Sequence, residues 1–219
     1  MNEDTGRTNW QMRRMMSELM VQMELNPLIE RYSWFIPKGT GDTSNNNMPF
    51  NKLLTNPGGS SNPELTNIGL VYVHMGTCDQ RVWALPGQRI AAKDFTKNNQ
   101  ADRVGTTGMV RSVGIRPNTD TASSNILEIH DFNNTDNMWV EYQIMLPEAK
   151  NYTLTLRYQT TASTNIRVSV NGDTPRTVTL NSSVWAATNV NLGNLTEGKH
   201  TIRLSVTSGN CALNWLQVD

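Results

Sequence analysis

A chain of 219 residues and 24.5 kDa has room for one large domain, or for one domain with an appendage. Its 19 basic and 19 acidic residues cancel. The basic excess that phosphate neutralisation calls for is missing, which puts nucleic-acid binding last among the function classes. Hydrophobic residues make up 37%, charged residues 17%, and mean hydropathy is −0.49. No apolar run approaches the roughly 18 residues of a membrane span, so no membrane partner is expected.

In chain order, the polar opening MNEDTGRTNW lacks a basic stretch followed by an apolar one, so no signal peptide is read there. Residues 8–25 then predict an amphipathic helix. Met12, Met15, Met16, Leu19, Met20 and Met23 fall on one stripe, and Thr8 with Gln11 fits a capping box. The stripe is read first as a core face, with association through this Met-rich helix as the functional alternative. IERYSWF, residues 29–35, predicts a strand ended by Pro37, and residues 38–64 a long Gly/Asn/Ser/Thr loop. The stretch 64–76 predicts a short helix opened by Thr66. One strand cannot make a sheet, so these first residues must pack on something else.

From about residue 84 the pattern changes to short strands separated by turns. They are predicted at 88–95, 109–115, 125–130, 139–145, 151–158, 165–170, 176–180, 189–192, 199–206 and 211–218. In TIRLSV, Ile202, Leu204 and Val206 face one way and Thr201, Arg203 and Ser205 the other. Asn171-Gly172-Asp173 marks a hairpin. Strands at this spacing imply a mainly β fold, an antiparallel β-sandwich or jelly roll. Trp139, Tyr142 and Trp215 sit on strands and are read as core. Cys78 and Cys211 are either a disulfide or free buried thiols. Four N-x-[ST] triplets, at Asn133, Asn151, Asn181 and Asn194, carry little weight in a chain so rich in Asn and Thr. Two cysteines and three histidines give no zinc spacing.

The pieces RIAAKDF, WVEYQIMLPEAKNYTLTLRYQ, NIRVSVNGD, SSVWAATNVNLGNLTEGKHTIRLSV and CALNWLQVD, in that order, resemble a family 6 carbohydrate-binding module over about residues 88–219. The resemblance implies a lectin-like sandwich that binds polysaccharide at a cleft among the loops at one end. Sugar rings offer CH faces and a rim of hydroxyls, so such a cleft needs an aromatic platform beside hydrogen-bonding groups. Trp185, in the polar loop NSSVWAATN, matches the family's stacking aromatic. The second platform aromatic aligns with Glu128, and the family's late Asn with Ala212. Asn214, two residues on, faces the same way as Ala212 by alternation. The candidate carbohydrate contacts are therefore Trp185, Glu128, Asn125 and Asn214. The family's calcium pattern is close to E-A-E-D, whereas this chain reads Ala91-Ala92-Lys93-Asp94. An ammonium is no calcium ligand. No metal and no cofactor are expected, with Lys93 standing in for the ion and pairing with Asp219.

NPLIERYSWF, the loop, and ELTNIGLVY resemble the C-terminal end of a glycoside hydrolase barrel of the family 128 type, over about residues 8–76. A whole TIM barrel takes about 200 residues or more. Residues 1–83 are thus expected to be an α+β fragment of one, and residues 84–219 the sandwich. Glu3, in the run Glu3-Asp4-Thr5-Gly6-Arg7-Thr8-Asn9-Trp10, is the one candidate nucleophile remnant, and Trp34 would line the cleft of an intact barrel. Retaining glycosidases need two carboxylates on different strands. The expected function is therefore non-catalytic polysaccharide binding by a module of an extracellular or periplasmic glycoside hydrolase. The alternatives are the C-terminal portion of a glycan-hydrolysing enzyme, and a module that only braces a barrel.

Overall fold

The computed structural model describes residues 15, 16, 18–20, 22, 23, 26, 28–30, 53, 54, 64–75, 83–99, 113–135 and 137–219. Eleven strands dominate: β1 Arg89–Ala91, β2 Lys97–Asn98, β3 Gly114–Pro117, β4 Leu127–Asn133, β5 Trp139–Leu146, β6 Lys150–Thr160, β7 Thr164–Val170, β8 Arg176–Leu180, β9 Ala186–Leu195, β10 Gly198–Ser208 and β11 Asn210–Val218. They form two antiparallel sheets. A six-stranded sheet runs β3-β4-β11-β6-β9, with β1 also on β11, and a five-stranded sheet runs β2-β5-β10-β7-β8. Alternation drives the layering. Tyr152, Leu154, Leu156 and Tyr158 of β6 face inward, as do Ile202, Leu204 and Val206 of β10, and they close one buried core.

The predicted hairpin forms between β7 and β8. Asn171 and Gly172 both take positive φ (53° and 81°), as its turn type requires, and Asp173 N–H donates to Val170 O at 2.9 Å. The chain changes sheets at Gly209, between β10 and β11. Its φ is +80°, and a Cβ there would meet Thr164 Oγ1 at 2.5 Å, so only glycine makes this corner.

The strand predicted over 88–95 is shorter than expected. Pairing stops at Ala91, the chain turns at Ala92 and Lys93, and it re-enters the other sheet as β2. The first half packs as its lone elements demand. Thr66 Oγ1 accepts from Gly69 N–H and caps the helix Asn67–His74, whose Ile68 and Val71 are buried beside β3 and β4. Met16 and Met20 join the same buried cluster, while Leu19 of the same stripe is exposed. Ile29 and Glu30 take no part in a strand, and the rest of the strand predicted at 29–35 lies outside the described residues. So do Glu3, Met12, Trp34 and Cys78. Cys211 is free, and burial pushes its thiol up to about 12, which makes it an inert core residue.

Candidate functional site

One end of the six-stranded sheet carries a groove of about 580 Å³ on its outer face, lined by Arg116, His130, Asp131, Gln159, Thr160, Thr161, Ser183, Asn210, Cys211 and Ala212. Cross-strand register explains this floor. Gly114 pairs with His130, and Ala212 with Gln159, so a small residue stands beside each long one. A Cβ at Gly114 would meet His130 Nε2 at 2.7 Å, so a larger residue there would make the imidazole shift. A bulge in β4 leaves His130 and Asp131 opposite the single Ala212, with Asp131 at φ 56°.

The wall beside Arg116 is a chain of hydrogen bonds. Trp185 Nε1 donates to Thr119 Oγ1 at 3.3 Å, and Thr119 donates to Glu128 through its N–H (2.8 Å) and its hydroxyl (3.0 Å). Arg116 Nε donates to Glu128 Oε1. The loop that carries Trp185 is pinned to β6. Gln159 Nε2 donates to Ser183 O at 2.8 Å, and Thr160 N–H to Ser182 O at 2.8 Å. Trp185 is half-buried, and Val184 beside it is exposed. A covered tryptophan offers no face for stacking. Arg89 lies over Trp215, Lys199 over Trp83, and Arg203 over Trp139 at 3.9 Å from the ring centroid. Among the described residues, no cation covers Trp185.

The remaining candidates from the sequence take other places. Glu128 has a side chain that is 0% exposed and accepts from Arg116 and Thr119, so it anchors the wall from beneath. Asn125 and Asn214 are brought together, with Asn125 Nδ2 donating to Asn214 Oδ1 at 2.8 Å. Asn214 is 0% exposed; it also donates to Asn118 Oδ1 at 2.6 Å and accepts from Ser123 Oγ at 2.7 Å. The alternation that would set Asn214 beside Ala212 is broken. Asn214 is the extra residue of a bulge between Leu213 and Trp215. It sits where the edge of β11 passes from β4 to β1, and its carbonyl accepts from Ala92 N–H at 2.9 Å. Its amide therefore holds the 118–126 segment and does not line the groove. Under that segment Asp120, 3% exposed, accepts from Arg157 Nε at 2.7 Å and from Arg157 NH2 at 2.9 Å. Tyr142 is core as expected, its hydroxyl donating to Ala92 O at 2.6 Å.

Arg116, His130 and Gln159 were not singled out in the sequence. They are outward positions of strands, and only pairing between distant strands gathers them at one place.

Lys93 Nζ pairs with Asp94, not with Asp219, which instead accepts from Gln217 Nε2 at 2.9 Å. A neighbouring carboxylate is simply nearer than the far end of β11. An ammonium bonded to the one acid of this turn does not fit a divalent ion.

The described residues thus form two antiparallel sheets with a groove at one end of the six-stranded one. Residues 112–218 match the family model described as carbohydrate binding module (family 35). Over these residues the sandwich is similar to that family. The resemblance read from the sequence named family 6, whereas the model that matches is that of family 35. Similar solved structures include the C-terminal family 6 module of a laminarinase from Zobellia galactanivorans, with 18% identity over 60% of this chain and 97% of that one, TM-score 0.46. A family 6 module of a lichenase from Cellvibrio mixtus, in complex with cellotriose, is 14% identical over 61% of this chain and 97% of its own, TM-score 0.48. A family 35 module from Clostridium thermocellum is 18% identical over 60% and 98%, TM-score 0.45. No curated protein matches the chain.

Proposed function

We propose that the sandwich binds a polysaccharide, without chemistry, in the groove at the end of the six-stranded sheet. Trp185 is the stacking wall. Arg116, His130 and Gln159 are the hydrogen-bonding rim, and Glu128, Asn125 and Asn214 hold the wall and the 118–126 segment in place. The observation that carries this reading is the half-buried ring of Trp185, two residues along the loop from Ser183 of the groove lining, in a sandwich where the other described tryptophans lie under cations. A module of this kind raises the local concentration of an attached enzyme on its glycan. The parent protein would be an extracellular or periplasmic glycoside hydrolase, with residues 1–83 as the end of its barrel. The test is affinity electrophoresis of the chain against laminarin, xylan, agarose oligomers, cellulose derivatives and mannan. Retardation by at least one is expected. Retardation by none would favour the bracing role, and turnover of any of them by the chain alone would favour the enzyme.

The Lys93–Asp94 pair supports a metal-free sandwich. A melting temperature unchanged by EDTA and by added calcium is the expected result, and a drop of several degrees in chelator would refute it. Among the described residues of the Met-rich stripe Met16 and Met20 are in the core and Leu19 is exposed, so association through this helix would use Leu19. Leu19→Glu would then shift the elution volume in size-exclusion chromatography.

A further inference from the structure

Alternation along β4 sets Glu128 and His130 on the outer face and Ile129 on the core. Continued unbroken, it would turn Asp131 inward and Phe132 outward. The bulge reverses this. Phe132 is buried like Ile129, and His130 and Asp131 between them both line the groove of about 580 Å³. Without the extra residue a carboxylate would point into the core.

The bulge strains one residue. Asp131 has φ 56°, in the left-handed region that side chains other than glycine seldom adopt. Asn137 and Asn171, the other described non-glycine residues with positive φ, sit in turns, where the chain must reverse. Asp131 lies within a strand, where no reversal calls for it. Strain of this kind persists only where the surroundings fix it, and it gathers at functional sites. Here amides fix it. Asp131 Oδ1 accepts from Asn210 Nδ2 at 2.9 Å and from Asn133 Nδ2 at 3.2 Å, and Asp131 O accepts from Asn133 Nδ2 at 3.0 Å. Asn210 and Asn133 face each other in register across β11 and β4.

The rim lacks what this carboxylate supplies. Arg116 only donates, and the Glu128 carboxylate, 0% exposed, is already engaged by Arg116 and Thr119. Sugar hydroxyls donate as well as accept, and a carboxylate accepts more strongly than an amide or a hydroxyl.

We propose that Asp131 is a ligand-contacting residue of this groove, its carboxylate accepting hydrogen bonds from hydroxyls of a neutral glycan, and that the bulge in β4 aims it there. The glycan rests on the carbohydrate-binding reading of the groove; the choice of Asp131 rests on the bulge, the positive φ and the two amides on Oδ1.

Affinity electrophoresis of the full chain against laminarin, xylan, agarose oligomers, cellulose derivatives and mannan tests it, with thermal melts of the same proteins: wild type, Asp131→Asn, Asp131→Gly, Asp131→Ala and Trp185→Ala. Asparagine keeps an oxygen for Asn210 and Asn133 and tolerates the positive φ, so Asp131→Asn should move melting by no more than about 2 °C. Its retention should weaken roughly tenfold or more, the scale of one lost charged hydrogen bond. Asp131→Gly should melt above Asp131→Ala, because glycine takes this φ without strain. The two should lose retention alike, because neither carries an acceptor. Retention then follows the carboxylate, and melting follows the backbone. Wild-type retention in Asp131→Asn and Asp131→Gly, or retention that ranks with melting across the variants, would overturn the proposal. If Trp185→Ala loses retention while the Asp131 variants keep it, this proposal alone fails. If the Asp131 variants lose it while Trp185→Ala keeps it, the Trp185 reading fails and this one stands. A wild type retained by none of the glycans would remove both.

Discussion

Trp185→Ala is expected to abolish retention by whichever neutral glycan the chain binds. Truncating a central aromatic anchor typically costs about 2 kcal/mol or more, roughly 30-fold in Kd. Stability should hardly move. The side chain is half-buried in a loop and makes one long hydrogen bond, to Thr119 at 3.3 Å. Loop positions of this kind, away from the core, usually change stability by only about 0.5 kcal/mol. The two readouts separate binding from bracing. A ring that only covered the sandwich end would alter melting and leave retention intact. Trp185→Tyr, which keeps a stacking face, should retain part of the affinity. Unchanged retention in the alanine variant would sink the assignment of the groove.

Arg157→Ala should produce the largest loss of stability outside the hydrophobic core. It leaves the Asp120 carboxylate buried with the Ala122 N–H, at 3.2 Å, in place of a two-point guanidinium clasp. Removing one partner of a buried ion pair typically costs about 3 kcal/mol or more. For a chain of this size that corresponds to a fall of about 10 °C in melting temperature. The pH dependence carries a distinct signature. The hydrogen bond from Arg157 holds the Asp120 carboxyl below its ordinary value of 3.8, against a weaker upward push from burial. A carboxyl with a depressed folded pKa stabilises above its unfolded pKa, and that contribution is lost as pH falls through the folded value. In the variant burial outweighs the one remaining opposing bond, from the Ala122 N–H, so acid relieves the penalty. The stability gap between wild type and variant should therefore narrow below about pH 4. Asp120→Asn in the Arg157→Ala background should recover part of the loss. Denaturant melts at pH 3.5 and pH 7 measure both, and a gap independent of pH would reject the buried-pair account.

Much of the fold was legible because it follows from local periods. Ile202, Leu204 and Val206 announced the inward face of β10, Asn171-Gly172 announced its hairpin, and Thr66 announced the helix it caps. The candidate site was legible only in part. Trp185 stood out as an aromatic stranded in a polar loop. Glu128 and Asn214 stood out through a family alignment. Their actual neighbours were hidden, because a carboxylate on a strand looks the same whether it faces sugar or an arginine. Asn214 also defeated the period-two rule on which its orientation was inferred. A bulge adds one residue and reverses the facing of the rest of the strand, and nothing local in CALNW marks it. The short β2 was missed for a similar reason. Two residues carry no period, and they are a strand only because Glu141 and Val140 are there to pair with them.

The sequence by itself determined what short-range chemistry decides: a mainly β chain from about residue 84, its turns, its inward faces, and an aromatic left over for binding. Only the tertiary structure decided which side chains meet. Thr119 joins Trp185 across 66 positions, and Asn214 holds Asn118 across 96. Strand pairing at such separations is chosen by the whole core, whose burial outweighs any local preference. The groove and its wall exist only after that choice is made.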